Sequence, residues 1–274
     1  MKISNNRLAG ESINFEQSPN HSGKFQKGYP DTIIMHYTAG ASAESSIKTL
    51  CDKRTKASAH VVIGRDGSIT QLVPFNQIAW HAGKSAYMDR VGFNKYSIGI
   101  EMDNAGVLTK SGDGYTSWFG RTYPEDQVIE AVHRNQKEPK FWHKYTEEQI
   151  STAFELCTDL VEKFNIKNIF GHEEIAPERK IDPGPAFPLD KLRERVLHRE
   201  RADTEEADLE HIKNAGVVTA SKLNIRSGPG TQSKTIADPL SKGTVVDIQQ
   251  ESNGWYQVNV QIRGWVSEDY IKKS

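Results

Sequence analysis

Three short apolar runs constrain this chain most. Residues 31–37 read D-T-I-I-M-H-Y, residues 96–102 read Y-S-I-G-I-E-M, and residues 166–170 supply Ile166, Ile169 and Phe170. Each suits a buried central strand. Between the last two lies the clearest helical signal, residues 146–164. There Ile150, Ala153, Phe154, Cys157, Val161 and Phe164 follow the 3–4 spacing of one buried face. Thr146, with Glu148 and Gln149 nearby, offers an N-terminal cap signal, read as off the ideal capping-box spacing. A helix is expected over 43–53. Residues 59–63 and 68–73 flank Asp66-Gly67 as a hairpin. Strand, helix and strand alternate with local hairpins, which predicts an α/β domain: a mixed central β-sheet flanked by helices.

The remaining stretches set the domain plan. Residues 1–29 are polar and turn-rich and read as an irregular N-terminal arm. Residues 105–145 interrupt the regular pattern with Gly and Pro positions that include Gly112, Gly114, Pro124 and Pro139, yet carry Trp118, Phe119, Phe141 and Trp142. So long a connection is a functional loop or holds structure of its own, and 126–135 reads as a short helix. From 189 to about 214 the chain is charge-dense, a closing helix running into a solvated linker. After Gly216 short β-branched segments alternate with turn clusters such as Asn253-Gly254, the pattern of a small all-β barrel. The plan is therefore an arm (1–29), an α/β domain (30–197), a linker (198–215) and a small β domain (216–274). A length of 274 residues accommodates one large and one small core.

Composition removes several classes of function. With 35 basic against 36 acidic residues there is no electrostatic footprint for nucleic acid. Cys51 and Cys157 are too few for a disulfide framework or a Cys-rich zinc site, and Cys157 falls on the helical core stripe. No run approaches the roughly 18 apolar residues of a membrane span. The polar first twenty residues lack an apolar signal core, so a cytosolic start is expected.

Ionisable residues gather where the apolar runs end. His36 ends the first, Glu101 stands near the end of the second, and Gly171-His172 follows the third. Residues 171–185 read G-H-E-E-I-A-P-E-R-K-I-D-P-G-P, packing His172, Lys180 and Asp182 into one Pro-punctuated turn. Proline restricts the residue before it, so Asp182 is held stiffly. Ligands collect beyond strand ends in open sheets, where His36 and His172 can share a metal. The bland alternative is two satisfied strand-end histidines. Two His and one carboxylate suit zinc with one position left for water, and in another fold non-haem iron. No H-E-x-x-H helix, G-x-S-x-G elbow or paired Cys–His nucleophile is present.

Several motifs in order, I-I-M-H-Y-T-A, S-A-H-V-V-I-G-R-D-G, A-W-H-A-G, Y-S-I-G-I-E-M and the 171–185 segment, resemble the zinc-dependent N-acetylmuramoyl-L-alanine amidases of the amidase-2 type, relatives of peptidoglycan recognition proteins. The resemblance covers about residues 31–192. It implies Zn2+ held by His36, His172 and Asp182, Glu101 as catalytic carboxylate and Lys180 as transition-state stabiliser. Tyr37, Trp80 and His81 are the expected groove residues, although His81 and Tyr37 equally suit structural roles. The implied substrate is peptidoglycan or muropeptide, cut between N-acetylmuramic acid and L-alanine. The alternative is a non-catalytic peptidoglycan receptor on the same fold.

Residues 216–274 resemble a bacterial SH3-like domain through L-N-I-R-S-G-P-G-T, G-W-Y-Q-V and G-W-V-S-E-D-Y-I. Such modules often bind cell-wall peptides, while Leu223, Ile225, Trp255 and Trp265 read first as core or turn-packing residues. A wall-binding module suggests polymeric substrate, as in a phage-type lysin released to the wall. A cytosolic start suggests muropeptide recycling instead.

Overall fold

The computed structural model describes residues 1–10, 12–112, 114–197, 215–220, 222–241 and 244–260. The chain divides into two compact units, Met1–Arg199 and Glu200–Ser274.

The first unit is built on a six-stranded mixed sheet. Its spatial order is Asn168–Gly171, Thr32–Tyr37, Ser97–Met102, Val61–Ile63, Ile69–Gln71, Ile13–Phe15. The first four strands run parallel to their neighbours, and only the 61–63/69–71 hairpin is antiparallel. Strands covered on both faces need continuous apolar sequence, which is what the I-I-M and I-G-I runs supply. Thr32–His36 is buried throughout, and in Ser97–Met102 only Glu101 escapes full burial.

Helix α1 (Ala43–Cys51) follows the His36 strand, and α2 (Glu147–Phe164) leads into the 168–171 strand. Helix α2 lays Ala153, Phe154, Leu156, Cys157 and Leu160 against Ile33, Met35, Ile98 and Ile100. Each of the Leu, Ile, Met and Phe side chains among them contributes about 1.5–3 kcal/mol on full burial. Its start corrects the sequence reading: Thr146 Oγ1 accepts from Gln149 N, and Gln149 Oε1 accepts from Thr146 N. That is a full capping box, with Gln149 at the third helical position. Gln149 also donates to the Asp103 carbonyl, tying the helix start to the Glu101 strand's exit.

Two further expectations change. The segment read as an irregular arm forms strands: Lys2–Ser4 pairs with Arg7–Ala9, Ile13–Phe15 joins the main sheet, and His21–Lys24 pairs with Gln77–Ala79. Strands this short carry no readable period; the edge of the main sheet supplies hydrogen-bond partners to Ile13–Phe15, and the other two pairs form separate two-stranded sheets. The expected 126–135 helix is a single 3-10 turn (Glu125–Gln127) followed by a strand, Val128–Val132. Val128, Ile129 and Val132 are β-branched, and pairing with Pro139–His143 decides their conformation. With Val107–Ser111, Gly114–Thr116 and Thr122–Tyr123 they complete a five-stranded antiparallel sheet inserted after the Glu101 strand. Its own core contains Leu108, Tyr115, Tyr123 and Val128.

In the second unit, Ala215–Val217, Val245–Ser252 and Trp255–Asn259 form an antiparallel sheet, and Lys222–Leu223 pairs with Leu240–Ser241. Asn253 and Gly254, at φ 50° and 76°, make the tight turn of the hairpin. Of the expected linker, 198–215, all but Ala215 lies outside the described residues, as does the 264–271 motif, Trp265 included.

Candidate metal centre

Register brings the strand ends together. His36 and Glu101 are direct partners across the parallel pair of strands. On the other side Gly171 pairs with Met35, so His172 emerges one residue later, level with His36. His172 opens a one-turn helix, α3 (His172–Ile175), and the chain returns through Lys180 to Asp182.

There the donor atoms converge. His36 Nδ1 lies 3.0 Å from His172 Nδ1 and 2.9 Å from Asp182 Oδ2, and His172 Nδ1 lies 3.0 Å from the same oxygen. All three residues are buried. Their outer hydrogen bonds settle what the inner atoms carry. His172 Nε2 lies 3.1 Å from the Ala82 carbonyl, which only accepts, so Nε2 holds the hydrogen and Nδ1 a lone pair. His81 Nε2 lies 3.2 Å from the Ser97 carbonyl, leaving His81 Nδ1 to accept from His36 Nε2 at 3.0 Å. His36 Nδ1 is then also a bare lone pair. Burial first, and then repulsion from His172 when that ring is protonated, lowers the His36 pKa to about 4; burial and His36 push His81 well below its ordinary value. Two imidazole lone pairs and a carboxylate oxygen thus face one another. Such a set is stable only around a cation or a proton. Tetrahedral bonds of about 2.0–2.2 Å would place donors roughly 3.3–3.6 Å apart, a little wider than this triangle, so the residues fit a metal ion with a small outward shift.

The two carboxylates of the site differ. Burial opposes ionisation of Asp182, but when a proton sits on the facing imidazole nitrogens, hydrogen bonds and charge from His172 and His36 outweigh burial and hold the group well below the usual carboxylate range, a place a metal ion would take over. Glu101 is pushed up to about 8 by burial and by the Asp182 charge, against an opposing pull from Lys180. Its Oε2 is shielded from solvent and makes no hydrogen bond. Lys180 is half-buried, and its charge acts on both Glu101 and His36.

The expected groove residues separate. His81 is not part of an open wall. It is 8 % exposed, both ring nitrogens are engaged, and it lies under His36 as that ring's tautomer partner. A Cβ on Gly99 would fall 2.3 Å from the His81 ring, so the strand accepts only glycine there. Trp80 is half-buried, with its indole N–H donated to Ser22 Oγ at 2.8 Å. Tyr37 is half-buried with its ring over Gly106, and burial plus the charges of Asp182, Glu173 and Glu101 raise its phenol pKa.

Other residues of the site went unread in the sequence. His60 Nδ1 accepts from Gly99 N at 3.0 Å and its ring stands edge-on to His81. Glu173 and Glu174, read as flanking residues without a role, are both fastened. Glu174 accepts from Gly171 N and pairs with Arg134 and Arg193, while Glu173 is buried beside Asp182. Gly99 inside an apolar strand was the available signal for close approach, and the buried histidines gave none.

The family described as N-acetylmuramoyl-L-alanine amidase matches residues 26–185, and that of the bacterial SH3 domain matches residues 221–272. Among curated relatives, N-acetylmuramoyl-L-alanine amidase AmiD of Escherichia coli K12 is 34% identical over 178 residues, 61% of this chain and 54% of that protein. The 1,6-anhydro-N-acetylmuramyl-L-alanine amidase AmpD of the same organism is 37% identical over 142 residues, 52% of this chain and 58% of that protein. The chain thus spans little more than half the length of either. A crystal structure of a Se-Met AmpD derivative superposes with TM-score 0.50 at 26% identity, covering 72% of this chain and 99% of that one.

Proposed function

Since the chain belongs to the N-acetylmuramoyl-L-alanine amidase family, we propose that it hydrolyses the amide between the lactyl group of N-acetylmuramic acid and L-alanine in peptidoglycan or muropeptides. The observation that carries this reading is the convergence of three donor atoms, from His36, His172 and Asp182, beside the Glu101 carboxyl with its unpartnered Oε2. In this reading His36, His172 and Asp182 hold Zn2+. Zinc when bound supplies a Lewis acid for the scissile carbonyl and makes water a nucleophile near pH 7.

The chain's own groups do the rest. Glu101, register partner of His36, would be held as the carboxylate by the charge of a bound cation, and in that form takes a proton from the attacking water and delivers it to the leaving L-alanine amine. Its unpartnered Oε2 is free for that exchange. Lys180 sets positive charge where the tetrahedral oxyanion develops. Trp80 and Tyr37 flank the substrate, and His81 keeps the His36 ring in the tautomer that presents Nδ1. The presence of Glu101 and Lys180 beside the three donors favours an enzyme over a receptor of the same fold. The second unit is assigned binding of cell-wall peptide, which delivers the first to polymeric substrate. No described helix is long and apolar enough to cross a membrane.

The test is incubation of the zinc-loaded chain with anhydro-muropeptide and, separately, with intact sacculi. Free stem peptide by mass spectrometry is expected. Its absence from both, with zinc bound, overturns the enzyme reading. Cleavage of muropeptides but not sacculi after deletion of 216–274 would assign targeting to the second unit.

A further inference from the structure

The two ligands of the 171–185 loop stand ten residues apart in sequence, and their donor atoms must meet within ångströms. One residue spans that turn from the inside. Glu173 N donates to the Asp182 carbonyl at 2.9 Å, and Glu173 Oε2 accepts from Gly184 N at 3.0 Å. Glu173 therefore grips the chain on both sides of Pro183, next to one ligand in sequence and against the other in space.

Its carboxylate is 3 % exposed as a residue and so needs partners of its own. They come from the inserted sheet. His133, which follows the strand Val128–Val132, places Nε2 2.7 Å from Glu173 Oε2. Arg134 Nε lies 3.2 Å from Glu173 Oε1, and Asn135 Nδ2 donates to the Glu173 carbonyl at 2.8 Å. His133 Nδ1 accepts from Asn135 N, which leaves its hydrogen on Nε2, aimed at Glu173. The His133 ring stacks on Trp142 at 5.6 Å and 21°, and Trp142 lies so close over Gly184 that a Cβ there would stand 2.8 Å from the indole. Trp142 is itself tied to the insertion through Ala131 O.

We propose that His133 and Glu173 are positioning residues through which the inserted sheet sets the spacing between His172 and Asp182, and hence the affinity and geometry of the metal centre. The proposal rests on the metal-binding reading above. It gives the insertion a task in the reaction without any contact to substrate. Outer-shell partners of metal ligands typically govern affinity by about 10–100-fold, and a site tolerates little displacement of its ligands.

The experiment uses the full chain stripped of metal. Zinc affinity is measured by competition with a chromogenic chelator, and the visible ligand-field spectrum is recorded with Co2+. Wild type is compared with Glu173→Ala, Glu173→Gln and His133→Gln, with the melting temperature of each followed in parallel. The expected result is zinc binding weakened about 10–100-fold in Glu173→Ala, with an altered Co2+ spectrum. Glu173→Gln should recover most of that loss, because an amide oxygen still accepts from Gly184 N. His133→Gln should fall between. Should Glu173→Ala fail to fold, Glu173→Gln and His133→Gln still decide: unchanged affinity and spectrum in both, with only the melting temperature lowered, overturns the proposal. Glu173→Gln as weak as Glu173→Ala would also overturn it, since charge and not the grip on Gly184 would then matter. Failure of wild type to bind zinc at all would overturn the metal reading beneath it, a separate outcome.

Discussion

Asp182 and Glu101 are carboxylates of one site whose surroundings drive them in opposite directions. Asp182 is nearly enclosed but faces two imidazoles, and the proton or cation shared with them keeps it ionised. Glu101 ends a strand beside His36, with one oxygen sealed from water and unbonded, and it holds its proton up to about pH 8. Burial acts on both; hydrogen-bond partners separate them. The difference divides labour as metal sites require, one carboxylate surrendered to the cation and the other kept for proton transfer.

The comparison breaks most easily at the metal. Asp182→Ala or His36→Ala should lose zinc in equilibrium dialysis and drop turnover below detection. Glu101→Gln should bind zinc as wild type does yet lose about 10²–10⁴ in kcat, the usual worth of a general acid–base group. Near-normal turnover in Glu101→Gln would end its assignment as the proton carrier. Lys180→Met should cost about 10²–10³ in kcat with little change in KM, as for loss of one oxyanion partner. A change confined to KM would make it a substrate-binding residue instead.

Smaller effects sharpen the same contrast. His81→Ala removes the acceptor of His36 Nε2–H and should weaken zinc roughly 10-fold, measured by chelator competition. In the metal-free chain Glu101 also makes stability depend on pH. Its folded pKa lies above the ordinary value of 4.5, so the folded state keeps the proton longer. Stability is therefore fullest below about pH 4.5 and falls as pH rises through about 8. Glu101→Gln should accordingly gain melting temperature over wild type at pH 8.5 and not at pH 4.5. A constant offset at both would show that Glu101 ionises freely in the fold.

The inserted sheet and the main sheet were unequally legible. Continuous apolar runs announce strands buried on both faces, so the central sheet and α2 were readable from pattern alone. Within the insertion, 128–132 was read as helix because its residues carry no strong period. Its conformation is set by pairing with 139–143, a contact invisible along the chain. The capping box at Thr146 shows the reverse case, where the spacing to Gln149 was fully present in the sequence and only misread. His81 reads from the sequence as equally suited to a groove or a structural role, because A-W-H-A-G names a residue type without saying which way it faces.

By itself the sequence determined the α/β plan of the first unit, the small β unit after it, and the identities of His36, Glu101, His172, Lys180 and Asp182 as a chemical set. Residue type and order suffice for these, since strand-forming runs and strongly ionisable groups are local properties. Tertiary structure alone decided three things. Parallel register set Glu101 beside His36, the Ala82 and Ser97 carbonyls chose the imidazole tautomers, and the insertion was fastened through His133 to Glu173. Each depends on groups far apart in the chain, and such pairings have no local signature.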